Sequence, residues 1–314
     1  MGVFVFLPLV LPLTAWPVAR LAEQHLHPRT ATRLLTVLAA VLALCSTVCL
    51  GLVMVVGTAQ LPGNPLPDGW SDPEVRAAVP YDEVVGKAAI PALCAVVVAC
   101  ARALWRHARV RRRAHRALAG LPGTEVAVLP DAVPYAYALP GGGRGGRRGR
   151  VVVTTALLDR LGPAERRALF AHERAHLAAR HDRFLLAVQL AARANPFLRP
   201  LRTAVAYTAE RWADEEAARA VGSRRTVARA IGTAALVSRG TPVPTLAGLA
   251  APGPVPRRVA ALLGPAPAVR TWPPAFTSVG LAAWGAAAGT AVSAMSSANS
   301  AVTMVLILRA ATPL

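Results

Sequence analysis

The sequence predicts a mainly α-helical membrane protein. Three N-terminal transmembrane helices lead into an α+β domain with a small antiparallel sheet, and one C-terminal transmembrane helix follows. Three observations carry this expectation. Apolar residues make up 54% of the chain and charged residues only 16%, against about 25% charged in ordinary soluble domains. Long uncharged runs lie towards both ends. The more polar middle shows short β-like runs followed by helical three- and four-residue steps.

Gly2 to Val18 is apolar and interrupted by Pro8, Pro12 and Pro17. No basic residue precedes it, so it reads as a first span or signal anchor rather than a cleaved signal. Leu34 to Gly57 carries no charge and exceeds the ~20 residues needed to cross the hydrocarbon core. Val84 to Leu104 is a third apolar run, with Lys87 able to snorkel outward and Pro91 marking a kink. Phe276 to Met295 is a fourth, continued after a Ser/Asn patch by Ala301 to Leu308. As one helix the whole stretch would reach roughly 50 Å, beyond a ~30 Å core. The implied divisions are a membrane region (1–105), a basic linker (106–117), a polar domain (118–263), a second linker (264–275) and a C-terminal segment (276–314).

The chain carries 35 basic and 16 acidic residues, a net charge of +19, and Lys87 is its one lysine. The placement of that charge is informative. Arg20, Arg29 and Arg33 precede the second span, and Arg106 to Arg116 follow the third. The intervening loop holds Asp68, Asp72, Glu74, Asp82 and Glu83 against Arg76. The positive-inside rule puts the basic segments in the cytoplasm, the acidic loop and the N-terminus outside, and the polar domain inside. The localisation expected is the plasma membrane. The arginine cluster reads as a topology and anionic-lipid anchor. It lacks the aromatics or module of a nucleic-acid site, so no direct nucleic-acid binding is expected. Cys45, Cys49, Cys94 and Cys100 lie in apolar runs without C-x-x-C spacing and read as small buried side chains.

Within the polar domain, Glu125 to Leu129, Tyr135 to Leu139 and Arg150 to Thr154 read as strands. The last two form a hairpin around a Gly/Arg loop, Pro140 to Arg148. Pro163 suits a helix start, and the pattern is helical to Arg180. Further helices are expected over 183–194, 198–221 and 224–237, and the Pro/Gly-rich stretch 240–274 reads as a connection.

The first of these helices contains His172-Glu173-Arg174-Ala175-His176, an H-E-x-x-H sequence. Residues four apart share a helix face, so both imidazoles can reach one metal ion with Glu173 beside them as a base. Catalytic zinc takes three protein ligands and leaves one position for water. Glu210 is the third candidate, with room before it for a turn, a helix and an antiparallel return. Asp214 falls on the same face as Glu210, suited to hold the free nitrogen of a ligating histidine. Arg211, Glu215 and Arg219 step along another face as a solvated ladder. His181, five past His176, is expected to be exposed at a helix end, and Asp182 to cap a helix or support a ligand. Tyr207, His181 and Arg224 are candidates for stabilising an oxyanion.

These residues, with Arg180-His181-Asp182, Asn195-Pro196, Glu210-Arg211-Trp212-Ala213-Asp214 and the strand Val151 to Thr155, resemble the BlaR/MecR-type family of membrane metallopeptidases. The likeness spans roughly Tyr135 to Ile231. It implies a zincin-like peptidase domain binding one Zn2+ per chain through His172, His176 and Glu210, with Glu173 catalytic. It also implies a regulatory protease acting on a cytoplasmic protein such as a transcriptional repressor. Beta-lactam sensors of this type carry an extracellular penicillin-binding domain after the last span. This chain ends at Leu314, so antibiotic sensing is not expected. The alternatives are a housekeeping membrane protease of the HtpX or CAAX-processing type, which shares both motifs, and a non-catalytic zinc-containing receptor.

Overall fold

The computed structural model describes residues 6–79, 81–141, 149–238, 254–267, 274 and 276–312. The tip of the Gly/Arg loop and most of the 240–274 stretch lie outside them. Helix dominates, as the composition leads one to expect.

The chain opens with α1 (Leu7–Val10), a 3-10 turn (Leu11–Thr14) and α2 (Ala15–His25). From Phe6 to Val18, the described part of the apolar 2–18 stretch is therefore a series of short helices rather than one rod. Pro8 and Pro12 stand in the first turn of a new element, because a proline lacks an N–H and clashes with the preceding turn. Next come α3 (Pro28–Ala59), the short α4 (Pro73–Ala77) and α5 (Asp82–Ala117); α12 (Ser278–Ala310) closes the chain. Among the described residues, α3, α5 and α12 are each long and apolar enough to cross a membrane. Pro28 opens α3 at its first turn, where a missing N–H costs nothing. The basic 106–117 segment is no separate linker, because α5 runs through it to Ala117.

Small residues set the helix packing. A Cβ on Gly57 would collide with the backbone of Gly86, so α3 and α5 meet backbone to backbone. The Ser/Asn patch does not break α12. Ser293, Ser297 and Ser300 are buried, and Ser297 Oγ lies 3.6 Å from Cys49 Sγ of α3. These three serines thus form an inward-facing stripe of one continuous helix, on which Asn299 is exposed.

The sheet contains β1 (Val126–Leu129), β2 (Ala136–Leu139) and β3 (Arg150–Thr154), in the order β1-β3-β2. β2 and β3 pair antiparallel as expected, with Leu139 opposite Arg150. β1 pairs parallel to β3, so the sheet is mixed rather than wholly antiparallel. Val151, Val152 and Val153 of the central strand are fully buried. β2 is an edge strand.

After the single turn α6 (Thr155–Leu158) come α7 (Pro163–Ala179), α8 (His181–Ala194), α9 (Arg199–Val221), α10 (Arg224–Val237) and α11 (Val255–Leu263). The Gly162 N–H donates to Glu165 Oε2 at 2.9 Å, a first-turn cap for α7. Gly222 ends α9 at φ +72°, a left-handed conformation that glycine adopts without strain. The α8–α9 pair packs directly on α3. Val188, Ala191, Leu198, Leu201 and Val205 share one core with Leu35, Leu38, Leu42 and Ala43. Two buried polar contacts cross that core, Thr32 to Thr208 at 2.9 Å and Asn195 to Ser46 at 3.0 Å.

Candidate metal centre

α7 and α9 cross so that three donors converge. His172 Nε2 and His176 Nε2 lie 3.1 Å apart. Glu210 Oε2 is 3.5 Å from the first and Oε1 is 3.4 Å from the second. The three residues form a group able to hold a metal ion. Both rings and the carboxylate are at most 12% exposed along their side chains. Two imidazoles and one carboxylate suit a dication and leave a coordination position for water.

The outer nitrogens of the two rings have different partners. Asp214, fully buried, places Oδ1 3.1 Å from His172 Nδ1, off the axis of the ring N–H. His176 Nδ1 instead lies 2.8 Å from His181 Nδ1. His181 is 1% exposed, so the expectation of an exposed helix end is corrected. The cause is Arg180, whose left-handed φ of 55° ends α7 and starts α8. That bend brings His181 back against His176 instead of carrying it around a continuous helix. Its ring also packs against Trp212, with centroids 4.7 Å apart. Asp182 sits in the first turn of α8, 4.0 Å from Arg111 of α5.

Glu173 is buried, lines the same cleft and receives a backbone hydrogen bond from Ala138 of β2. The cleft, of about 190 Å³, runs between the β2 edge and α8. Leu177, Leu185 and Leu186 line it, together with His107 and Arg111 of α5.

Arg258 of α11, within the Pro/Gly-rich 240–274 stretch, is a residue of the site that sequence reasoning missed. It is 5% exposed and lies 2.8 Å from Glu210 Oε2 and 2.6 and 2.9 Å from the two Asp214 oxygens. A signal for it does exist. Val255, Val259 and Leu262 mark the apolar face of a short helix, and Arg258 falls among them.

The expected solvated ladder on α9 is also corrected. Arg211 and Glu215 are 7% and 6% exposed. Glu215 accepts from Arg211 at 2.8 Å and from Arg224 at 2.8 and 3.1 Å. Arg224 further donates to the Ala261 and Gly264 carbonyls. It therefore ties α10 and α11 to α9 and is no oxyanion candidate. Tyr207 stacks under the Arg257 guanidinium, 4.3 Å from its ring centroid.

Charge is finely divided at this centre. Burial opposes ionisation of Glu210 and Asp214, but Arg258 and the histidines hold both below the usual carboxylate range, Glu210 well below it. Burial pushes Glu173 up to about 7; His172 pulls it down and Glu210 adds to the rise. Burial pulls His176 down to about 4. It pulls His172 the same way, but contacts with Asp214 and Glu210 outweigh it and raise that ring to about 10.

Residues 101–194 match the model of Peptidase family M48. The chain is similar to protease HtpX homolog 2 of Methanosarcina mazei, 44% identical over 64 residues, covering 20% of this chain and 21% of that protein. It is also similar to a protease HtpX homolog of Moorella thermoacetica, 43% identical over 74 residues, covering 24% of this chain and 23% of that protein. The matched stretch thus spans about a fifth of the length of these curated relatives. No solved structure matches. These matches support a metallopeptidase of the M48 kind and do not single out the BlaR/MecR type.

Proposed function

We propose that the chain is a membrane-embedded zinc endopeptidase whose site faces the cytoplasm. One observation carries this reading: His172, His176 and Glu210 converge on one point of a cleft that also holds Glu173 and the β2 edge. The orientation rests on the acidic 60–83 loop and the basic ends of α3 and α5.

His172, His176 and Glu210 would hold a zinc ion, which would supply Lewis acidity towards a water molecule and a peptide carbonyl. His176 presents its Nε2 lone pair by keeping its proton on Nδ1, donated to His181. His172 is held through Nδ1 by Asp214, and its second proton leaves when a dication binds. Glu173 takes a proton from the attacking water and returns it to the amine nitrogen as the C–N bond breaks. Substrate lies extended along the free edge of β2, as an added strand.

Two readings of the client differ in breadth. A regulatory protease cleaves one cytoplasmic protein, such as a repressor; an HtpX-type housekeeping protease cleaves many. The two HtpX relatives favour the second. The test pairs zinc analysis with client capture. Wild type is expected to hold one zinc, His172→Ala and Glu210→Ala to lose it, and Glu173→Gln to keep it while losing roughly 10²- to 10⁴-fold in activity. Full zinc occupancy in Glu210→Ala would overturn the ligand set. Proteomics on the Glu173→Gln trap separates one dominant client from many.

A further inference from the structure

A cavity of about 200 Å³ lies away from the metal centre, where α2, α3, α9 and α12 meet. Val18 of α2, Leu38 and Leu42 of α3, Leu201 of α9, and Gly285 and Gly289 of α12 line it. Leu38, Leu42 and Leu201 are buried, so its floor is the core that backs the α8–α9 pair. The two hydroxyls in its lining are already engaged. Thr14 donates to the Leu11 carbonyl and Thr290 to the Ala286 carbonyl, each at 2.8 Å. A buried water needs two to four polar partners, and an apolar cavity of ~150 Å³ stays dry yet takes up a benzene-sized ligand. Gly285 and Gly289 are four apart and share a helix face. A Cβ built on either would meet nothing within 4 Å. Unlike Gly57 and Gly86, these glycines leave space open instead of letting two backbones touch.

The depth of the cavity follows from its neighbours. Ser46 Oγ donates to the Pro8 carbonyl at 2.8 Å, and α2 ends at His25 just before α3 starts at Pro28. The N-terminal segment thus runs antiparallel along the first half of α3. Leu38 and Leu42 follow closely on Leu34, where the uncharged stretch begins. At 1.5 Å per residue the cavity sits roughly 6–12 Å inside that edge, within one leaflet of a ~30 Å core. Counted along the antiparallel pair from Pro8 and Ser46, Arg20 comes level with Leu34, at the edge itself. Arg20 is exposed, with its guanidinium 5.8 Å from the Trp16 ring centroid. Thr14 and Gly285, both exposed, mark a mouth that opens sideways between the N-terminal segment and α12.

We infer that this cavity binds one acyl chain of a phospholipid from the cytoplasmic leaflet, with Arg20 on its phosphate. The depth suits a chain and not a headgroup. The lining offers a ligand apolar contact alone, and a cation stands at headgroup level on the same segment, where a long stem lets its head reach the surface. The inference rests on the proposed reading of α3 and α12 as membrane spans with α3 starting in the cytoplasm, and does not involve zinc. Leu201 and Glu210 belong to the same helix, so the bound chain fills space behind an element that carries a metal donor.

Two experiments on the full chain test this. The first places the protein in phosphatidylcholine vesicles containing a phosphatidylcholine with a diazirine midway along one chain. Illumination should mark Leu38, Leu42 or Leu201 as well as the exposed Val37 and Val97, mapped by peptide mass spectrometry. Marks on Val37 and Val97 alone overturn the cavity; marks on none of the five overturn the membrane reading beneath it. The second is native mass spectrometry from mild detergent. Wild type should retain one phospholipid, and the Gly285→Leu, Gly289→Leu double variant roughly tenfold less, since each methylene shut out weakens binding about fourfold. Leucine favours helix over glycine, so the double variant should melt no lower than wild type. Ala288→Leu, exposed on α12 and outside the lining, should retain the lipid. Equal retention by the double variant overturns the proposal, and unchanged retention by Arg20→Gln overturns the phosphate contact.

Discussion

Replacing Arg258 by leucine removes a guanidinium that touches both Glu210 and Asp214. The two carboxylates are 8% and 0% exposed, and Arg258 itself is 5% exposed. Taking one partner from a buried ion pair costs about 3–5 kcal/mol, because the remaining charge stays buried without a counterion. Two carboxylates are stranded here, so the upper part of that range applies. At roughly 2–4 °C per kcal/mol for a domain of this size, the chelator-treated variant should melt about 10 °C or more below wild type. Zinc would return a positive charge to Glu210 but not to Asp214. Its stabilising shift should therefore be larger in Arg258→Leu than in wild type, without full recovery. The assay is thermal unfolding of detergent-solubilised protein with zinc or chelator. Arg257→Leu is the control: its side chain is 49% exposed and pairs with Glu23, so it should cost no more than ~1 kcal/mol. A chelator midpoint for Arg258→Leu within a degree or two of wild type would refute the account. So would a zinc shift no larger than the wild-type one.

Three further outcomes are expected. His181→Leu leaves the His176 Nδ1 proton without its acceptor and should weaken zinc binding about 10- to 100-fold, read by competition with a chromophoric chelator; His181→Asp should recover affinity, and equal affinity in all three proteins would exclude an orienting role. Gly57→Leu drives a side chain into the Gly86 backbone and should lower the melting temperature by separating α3 from α5, whereas substitution at Gly51, where a Cβ meets nothing within 4 Å, should not. Tyr135 is pushed up to about 12 by burial and by its hydrogen bond to Asp131. Its folded value lies above its unfolded one, so its contribution to stability is complete below pH 10 and is lost as pH rises through about 12. The tyrosinate absorbance difference between wild type and Tyr135→Phe should inflect near the higher value, and an inflection at the ordinary tyrosine value would contradict the contact.

The parts of the centre that could be read in advance are those written in local periodicity. His172 and His176 share a face because they are four apart on a well-started helix, and so do Glu210 and Asp214. The parts that escaped reading depend on breaks and on tertiary cover. His181 lies off the face of an unbroken helix and meets His176 only because Arg180 turns left-handed. Arg211 and Glu215 look like a solvated ladder until α10 and α11 are laid over α9. Arg258 was hidden by its Pro/Gly-rich surroundings, although its short helix carries an apolar face. The parallel β1–β3 pairing is a long-range choice that strand patterns do not encode. The serines of α12 looked like a possible break because single-helix polarity does not reveal which side another helix covers.

The core shared by α3 with the α8–α9 pair decides how this molecule can be divided. A fragment beginning at 118 would keep every metal donor and still lose the wall behind them. Leu198, Leu201, Ala204 and Val205, each at most 1% exposed, would face water, and Thr208 and Asn195 would lose Thr32 and Ser46. Such a fragment is expected to aggregate or to need detergent even though no transmembrane helix remains in its first half. α3, long and apolar enough to cross a membrane, is thus part of the tertiary scaffold of the metal donors, and attempts to excise a soluble unit around those donors should retain α3 or redesign the face it covers.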